Sequence, residues 1–219
     1  MQQMVTFKQV VKGLNIRPEI GFFGYSSVVL IKDGSENILF DTGGYGVRKF
    51  ISDLKDKVEI HKVFISHLHF DHCANLCLFS DIPVYVHKNE LSSLSANKNL
   101  YNDIYEFVSS SLEKLNIVEF SQEDFLTENT KIVLTPGHTH GHSSLEILNQ
   151  DKRTLIAGDA IETFQEFLDP TYQTEYENRD KYLQSFKHIK NNYPIIIPGH
   201  SSVIDTTKTF ENSFELKIF

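Results

Sequence analysis

The sequence predicts an α/β (α+β) fold in which sheets are covered by helices, and three observations support this class. Short β-branched or apolar segments recur along the chain, a pattern typical of buried strands. Between several of them, apolar residues recur at i, i+3, i+4 and i+7, as in an amphipathic helix. A turn sequence, KDGSEN, joins two of the strands as a hairpin. Strands that alternate with helices, with hairpins among them, indicate sheet layers with helices on their faces.

The predicted elements follow one another without a linker, so we expect residues 1–219 to form a single domain. The predicted strands are SSVVLIK (Ser26–Lys32), NILF (Asn37–Phe40), HKVFI (His61–Ile65), PVYV (Pro83–Val86), KIVL (Lys131–Leu134), SSLEIL (Ser143–Leu148), RTLIA (Arg153–Ala157) and PIII (Pro194–Ile197). Helices are predicted over Val47–Leu54, around Asn75–Phe79, between Leu100 and Leu115, and over Tyr182–Ile189. The polar and aromatic connection Gln165–Asp180 is the loose region.

The composition of the chain is that of a soluble domain and argues against some classes of partner. The chain has 219 residues, of which 40% are hydrophobic and 23% charged, as in an ordinary soluble domain. A net charge of −8 argues against a nucleic-acid partner, because phosphate binding relies on basic patches. The sequence shows neither a signal peptide nor a membrane span, so we expect a cytoplasmic protein. Cys73 and Cys77, spaced C-x₃-C, are interpreted as two buried hydrophobic residues on one helix face.

The segment SHLHFDHCAN carries an unusual concentration of titratable groups. His67, His69, Asp71 and His72 fall within six positions, directly after the predicted strand HKVFI. Neutral imidazole and carboxylate are good ligands for zinc and related cations. On a loop, the first two histidines can face one point, while Asp71 and His72 face a neighbouring one. The segment therefore predicts a metal site, and its spacing suits two ions.

Three further strands end in histidine or aspartate. TPGHTHGH after KIVL brings His138, His140 and His142, AGD after RTLIA brings Asp159, and PGH after PIII brings His200. Ligands of open α/β sheets bind at the carboxyl ends of strands, so these segments are expected to share one edge with the first cluster. Spacing alone leaves the choice among His138, His140 and His142 open. Three other histidines are interpreted as ordinary hydrogen-bonded residues: His61, His87 and His188.

In this order, the motifs DTGG, SHLHFDH, TPGHTHGH, AGD and PGH resemble those of the metallo-β-lactamase-fold hydrolases. The resemblance covers the chain from about Ser26 to His200 and implies a four-layer αββα sandwich with a two-metal site at one edge. It implies His67, His69 and His138 as ligands of one metal, Asp71, His72 and His200 as ligands of the other, and Asp159 as the bridge. It also implies that Asp41 and His142 support the ligands from behind. His140 occupies a variable position of the motif.

The chemistry implied is hydrolysis. Two cations can lower the pKa of a shared water toward neutrality, which supplies a hydroxide nucleophile without a strong base. Asp71 is then both a ligand and the candidate catalytic proton shuttle. We expect two Zn²⁺ ions per chain, with iron or manganese as alternatives. Ser143 and Ser144 are expected to have structural roles.

The substrate is less constrained by the motifs. SHLHFDH is similar to the quorum-quenching lactonases, but the tyrosine that those enzymes carry shortly after the bridging aspartate is missing; Phe164 and Tyr172 are the candidate pocket residues here. AGDAIE and NLCLF resemble a small group related to the metallo-β-lactamase-domain-containing protein 1 of animals. Nineteen residues follow His200, so we do not expect the helical substrate domain of glyoxalase II enzymes.

We therefore expect a hydrolase of a small ester, thioester or lactone. The alternatives are a phosphodiesterase or nuclease of the same fold, a persulfide dioxygenase with one iron, and a metal-binding scaffold without turnover. The connection Gln165–Asp180 is interpreted as a candidate wall of the substrate pocket or as a contact in a homodimer. The alternative interpretation of this connection is an ordinary surface crossover.

Overall fold

The computed structural model describes residues 5–13, 25–96, 102–149, 153–172 and 176–208. The strands are β1 (Thr6–Val11), β2 (Val28–Asp33), β3 (Glu36–Phe40), β4 (Lys62–Phe64), β5 (Pro83–His87), β6 (Asn116–Phe120), β7 (Phe125–Thr127), β8 (Thr130–Leu134), β9 (Ser143–Leu148), β10 (Arg153–Gly158), β11 (Ile195–Pro198) and β12 (Ile204–Asp205). The α-helices are α1 (Arg48–Lys57), α2 (Phe70–Cys73), α3 (Lys88–Ala96), α4 (Asn102–Leu112), α5 (Phe164–Leu168) and α6 (Arg179–Asn192).

The strands form two mixed sheets. The first has the order β1-β2-β3-β4-β5-β6, antiparallel over its first three strands and parallel from β3 to β6. The second has the order β12-β11-β10-β9-β8-β7, in which only β10 and β11 are parallel. Parallel neighbours end at the same edge of a sheet, so the segments that follow β3 and β4, and those that follow β10 and β11, are brought side by side.

The two sheets pack face to face through a buried apolar layer. Alternate residues of each strand point into this layer, as the two-residue period of a strand requires. Phe40 and Phe64 of the first sheet stack with ring centroids 5.7 Å apart. The layer contains Val29, Ile31, Ile38, Phe40 and Phe64 from the first sheet and Ile132, Leu145, Ile147, Ile156 and Ile197 from the second.

Helices cover the outer face of each sheet. Ile51 of α1 and Val108 of α4 are buried against β3, β4 and β5. On the other side, Phe167 of α5 and Ile189 of α6 are buried against the second sheet. The predicted four-layer αββα sandwich is therefore confirmed. The apolar stripe of each helix faces a sheet because burying it releases about 25 cal/mol per Å² of apolar surface.

Each predicted strand is present, with ends that differ by a residue or two, and several elements were not predicted. The polar or very short strands β1, β6, β7 and β12 lack an apolar run, and α3 and α5 lack a clear helical period. The connection that begins at Gln165 was expected to be loose, yet it starts within α5 and continues in a 3₁₀ helix, Pro170–Tyr172. A capping box at Thr163 and Glu166 accounts for the start of α5, because it satisfies backbone N–H groups there.

Some local predictions were wrong about the type of a helix or the burial of a side chain. The predicted helix around Asn75–Phe79 is a 3₁₀ helix, Leu76–Phe79, preceded by the short α2. Phe50, assigned to the buried face of α1, is 45% exposed. Cys73 is buried but Cys77 is exposed, so the interpretation of both as buried hydrophobic residues was wrong for Cys77. Leu100 lies outside the described residues. No helix in the described ranges combines the length and apolar character that crossing a membrane requires.

Candidate metal centre

The histidine-rich segments meet at one edge of the sandwich. The backbone N–H of Ser143 donates to the carbonyl of Ser66 at 3.0 Å, which joins the segment after β8 to the one after β4. In the same way, Gly199 N–H donates to the carbonyl of Gly158 at 3.0 Å and joins the segments after β11 and β10. Backbone hydrogen bonds thus hold the four segments that carry the predicted ligands together in two pairs.

The predicted ligands form two groups. In each group, one candidate ligand atom per residue lies within 4.8 Å of the others, and the groups are His67, His69 and His138, and Asp71, His72 and His200. In the first, Nε2 of His138 and Nδ1 of His69 are 3.0 Å apart. In the second, Oδ2 of Asp71 lies 3.3 Å from Nε2 of His200. The structure therefore brings together all six residues, although they come from three separate segments.

Asp159 lies between the two groups. Its Oδ2 is 3.5 Å from Nε2 of His138 and 3.9 Å from Nε2 of His67, which belong to the first group. The same oxygen is 3.3 Å from Nε2 of His72 and 3.4 Å from Nε2 of His200, which belong to the second. One carboxylate oxygen thus faces nitrogen atoms from both groups, as a ligand shared between two cations would.

Several of these polar atoms are buried without a hydrogen bond. Within the part of the chain that the structure describes, they are His67 Nε2, Asp71 Oδ2, His72 Nε2, Asp159 Oδ1 and His200 Nδ1. A buried polar atom without a partner costs about 1–3 kcal/mol, so such a concentration needs an explanation. Nitrogen and carboxylate donors are the set that zinc and similar divalent cations prefer. The residues present therefore fit the two cations that the motifs imply.

His67 and His138 of the first group are held neutral by their surroundings. Burial lowers the pKa of His67 and of His138 well below the ordinary histidine value, and neighbouring histidines lower it further. A neutral imidazole keeps a nitrogen lone pair, which metal binding requires. The rings therefore need no deprotonation before they can bind a cation at neutral pH.

The second group favours positive charge. Burial alone would lower the pKa of His72, but the carboxylates of Asp159 and Asp71 outweigh it and raise that pKa well above its ordinary value. Burial alone would also raise the pKa of Asp159, yet the charges of His72 and His200 hold it well below its ordinary value. The ionised carboxylates thus stabilise a positive charge at this point, whether protons or a cation supply it.

Asp41 supports the first histidine loop from behind. It is fully buried, has a left-handed φ of 56°, and accepts hydrogen bonds from the backbone N–H and the Oγ of Ser66, each at 2.8 Å. Its Oδ2 also lies 2.7 Å from Nδ1 of His72. The ring of His72 must donate from Nδ1, so its Nε2 is left to face Asp71 and Asp159. Carboxylates that orient ligand imidazoles in this way are common around metal sites.

His142 supports Asp159 and does not face the centre as a donor. Its Nε2 accepts a hydrogen bond from the backbone N–H of Asp159 at 3.1 Å, and its Nδ1 lies 2.9 Å from Oγ1 of Thr135. Burial lowers the pKa of His142 to about 3, so the ring is neutral. Ser144 extends this series of hydrogen bonds. Its Oγ lies 2.8 Å from Oγ1 of Thr135 and donates to the carbonyl of Ala157. Ser144 thus has a structural contact, in line with the role expected for it.

His140 points away from the centre. Half of its side-chain surface is exposed, and its ring and backbone N–H both contact the carboxylate of Glu177. His138, two residues earlier, is 3% exposed and faces Asp159. Backbone bonds from Glu177 to the carbonyl of His138 and from Asn178 to that of Gly137 hold this loop against the segment that precedes α6. The structure thus separates the three histidines that spacing could not.

Two carboxylates near the centre were not anticipated. Glu162 is 4% exposed and lies within 4.8 Å of candidate ligand atoms of Asp159 and His200. Glu90 is also 4% exposed and accepts hydrogen bonds from two histidine segments. Each stands just after a strand, at the edge where the other ligands lie, which is the signal that could have identified it. Neither belongs to a histidine motif, which is why both were overlooked.

The two predicted pocket residues lie in α5 and in the 3₁₀ helix that follows it. Phe164 begins α5 and is partly buried against the outer face of the second sheet. Tyr172, in the 3₁₀ helix, is 60% exposed. Their part in substrate binding stays a prediction.

A family model described as the metallo-beta-lactamase superfamily matches residues 21–200. The chain belongs to this superfamily. The match to the metallo-β-lactamase superfamily spans every predicted ligand from His67 to His200, and the sandwich agrees with it. A solved structure of the same fold, a metallo-beta-lactamase from Thermotoga maritima, has a TM-score of 0.73 and 22% identity, and covers 93% of this chain and 100% of that one.

Two of the curated superfamily relatives carry different names. The beta-lactamase-like protein 2 homolog of Caenorhabditis elegans is 29% identical over 187 residues, which is 82% of this chain and 57% of that protein. The N-acyl homoserine lactonase of Bacillus thuringiensis is 29% identical over 143 residues, which is 63% of this chain and 54% of that protein. The chain thus spans little more than half the length of each of these two relatives.

Proposed function

We propose that this protein is a hydrolase that depends on two zinc ions and cleaves small esters, thioesters or lactones. The observation that carries the proposal is the position of Asp159, whose Oδ2 lies 3.3–3.9 Å from Nε2 atoms of four histidines drawn from both groups. A mononuclear centre needs three or four protein ligands, whereas seven residues converge here.

The donors divide naturally between two cations. His67, His69 and His138 would hold the first, Asp71, His72 and His200 the second, and Asp159 both. When bound, two such ions lower the pKa of a shared water and polarise a carbonyl oxygen of the substrate. Asp41 and His142 keep the donor atoms aimed inward, because each fixes the ring or backbone of a candidate ligand through hydrogen bonds.

Asp71 is proposed as the proton shuttle. Its Oδ2 is buried near His72 and His200, at 3.7 and 3.3 Å, while 18% of its side-chain surface stays exposed. The side chain therefore touches both the centre and solvent. That position suits a carboxylate that takes a proton at the centre and delivers it to a leaving oxygen or sulfur.

The substrate class rests on charge and on relatives. The chain carries a net charge of −8, which opposes binding of a polyanionic nucleic acid. One relative is named an N-acyl homoserine lactonase, which supports a lactone or a chemically related ester or thioester. The residues shortly after Asp159 include Ile161, Glu162 and Phe164 but not the tyrosine that those lactonases usually carry there, so the leaving group should be held differently.

The test measures metal and activity on one preparation. Bound metals are quantified by mass spectrometry, and hydrolysis is followed on ester, thioester, lactone and phosphodiester chromogens. We expect two zinc equivalents, activity on the carbonyl substrates, loss on chelation, and recovery with zinc. The control is His188→Ala, which replaces an exposed histidine of α6 and should keep both the bound zinc and the hydrolytic activity.

Other outcomes would overturn the proposal in distinct ways. Activity confined to the phosphodiester would indicate a nuclease. One iron per chain and consumption of oxygen with a persulfide would indicate a dioxygenase. Two bound zinc ions without turnover of any of these substrates would indicate a scaffold.

A further inference from the structure

Glu90 joins the two segments that carry the first histidine group. It lies in the first turn of α3, directly after β5, and is 4% exposed. Its Oε2 accepts a hydrogen bond from the backbone N–H of Leu68 at 2.9 Å. Its Oε1 accepts one from the backbone N–H of Gly141, also at 2.9 Å. Each carboxylate oxygen therefore holds a different loop.

Both of these hydrogen bonds to Glu90 come from backbone groups in the segments that carry the candidate ligands. Leu68 stands between His67 and His69, so its N–H fixes the peptide that sets both rings. Gly141 stands in the loop that begins with His138. A Cβ built on Gly141 would lie 2.7 Å from Oε1 of Glu90 and 2.8 Å from Nδ1 of His87, so a larger residue would displace the loop or these side chains.

The geometry that the contacts support is tight. Nε2 of His138 and Nδ1 of His69 lie 3.0 Å apart, although they are 69 residues apart in sequence. Within the described residues, the loops are also joined directly by the Ser143–Ser66 backbone bond at 3.0 Å. Glu90 supplies a second point of attachment, so the two together restrict hinge-like separation of the loops.

We propose that Glu90 is a positioning residue for the first cation: its carboxylate holds the loops of His67, His69 and His138 at the separation that one ion needs. The inference rests on the proposed two-cation function. Glu90 does not face the reacting atoms, and it acts through the backbone of Leu68 and Gly141. It resembles Asp41 in kind, since Asp41 anchors Ser66 and His72 for the second position.

Glu90→Gln tests this with little change of shape. The amide keeps one acceptor but turns an N–H₂ group toward one of the two backbone N–H donors. Loss of such an outer partner typically costs about 10–100-fold in metal affinity. Glu177→Gln is the matched control, because it removes the same charge from a residue that contacts His140 on the same loop.

Two background variants, each of which lacks one ligand, allow zinc binding at the first and second positions to be measured separately. In His200→Ala, the second group lacks a donor, so the remaining zinc reports the first position. In His138→Ala, the remaining zinc reports the second. Zinc affinity is measured by competition with a chromogenic chelator. We expect Glu90→Gln to weaken binding about 10–100-fold in the first background and little in the second. Glu177→Gln should change neither.

The outcomes discriminate the two proposals. Equal affinity with and without Glu90→Gln, in a wild type that binds two zinc ions, would overturn the role of Glu90 alone. Parallel losses in both backgrounds, with a lower unfolding temperature of the metal-free variant, would indicate a merely structural role and overturn it too. A wild type that binds no zinc would overturn both this inference and the proposed function.

Discussion

Oδ2 of Asp159 lies 3.3 Å from Nε2 of His72, across the junction between the two sheets. The aspartate follows β10 of the second sheet, and the histidine lies in α2, just after β4 of the first. This contact joins the two halves of the sandwich through a single carboxylate. Because the same oxygen also faces His138, its removal should disturb both candidate cation positions.

Asp159→Ala should therefore remove bound metal and abolish hydrolysis. The loss of metal affinity should exceed the roughly 10–100-fold that removal of an outer partner costs. Metal content after dialysis and the hydrolytic rate check this. Asp56→Ala, at an exposed position of α1, is the control and should leave both unchanged. Full activity and two bound ions in Asp159→Ala would refute the bridging position.

Replacing His138 and His140 by alanine should have different effects. His138 is buried in the first group, whereas His140 is half exposed and contacts Glu177. His138→Ala should lose the first cation and the activity that depends on it. His140→Ala should keep both and change the free energy of unfolding by less than about 1 kcal/mol, as exposed ion pairs usually do. Equal losses of metal would mean that the wrong histidine was assigned.

Gly137→Ala should destabilise the fold. Gly137 has a φ of 143°, and a Cβ there would lie 2.2 Å from the backbone of Tyr182 at the start of α6. Backbone strain and overpacking together should lower the free energy of unfolding by about 2–4 kcal/mol. Chemical denaturation measures it. Gly46→Ala is the control, because no described atom lies within 4 Å of its Cβ position. A neutral Gly137→Ala would mean that α6 can shift freely.

Asp33 should make stability depend on pH. It ends β2 and accepts hydrogen bonds from Thr127 Oγ1 at 2.6 Å and from the backbone and side chain of Asn129 at 2.8 and 2.9 Å. Burial alone would raise its pKa, but these bonds outweigh burial and lower it below the ordinary value of 3.8. The stabilisation is therefore present above that value and is lost as the pH falls through the lower folded pKa.

The measurement compares Asp33→Asn with wild type across pH. At pH 7, the variant should unfold with about 1–3 kcal/mol less free energy, because hydrogen bonds to a buried charge are lost. Below about pH 4 the difference should begin to shrink, because the carboxylate is then protonated in the unfolded wild type, and it should be smallest below the lowered folded pKa, where the native carboxylate is protonated too. Asp56→Asn should show a much smaller difference at each pH. A difference that does not vary with pH would contradict the charged state of Asp33.

The donor residues could be read from the sequence because metal chemistry uses few residue types in short motifs. His67, His69, Asp71 and His72 stand together, and Asp159 and His200 each follow a strong strand. The central strands could be predicted equally well from their apolar runs, because strands that are buried on both faces consist mostly of apolar residues. Edge strands such as β6 and β12 escaped prediction because half-exposed residues carry little pattern.

The sequence by itself determined the candidate ligands and, through the resemblance of its motifs to those of the metallo-β-lactamase-fold hydrolases, the superfamily and the sandwich. Short motifs of chelating residues and runs of apolar residues are local patterns that can be recognised without coordinates. The resemblance, but not the spacing, selected His138 over His140. Only the tertiary structure decided which of these histidines lies against Asp159, and that Glu90 and Glu162 lie beside the centre. The physical reason is that a single carboxylate leaves no periodic or motif signal. Its role is set by distances to residues far away in the chain, and these distances exist only after the two sheets have packed.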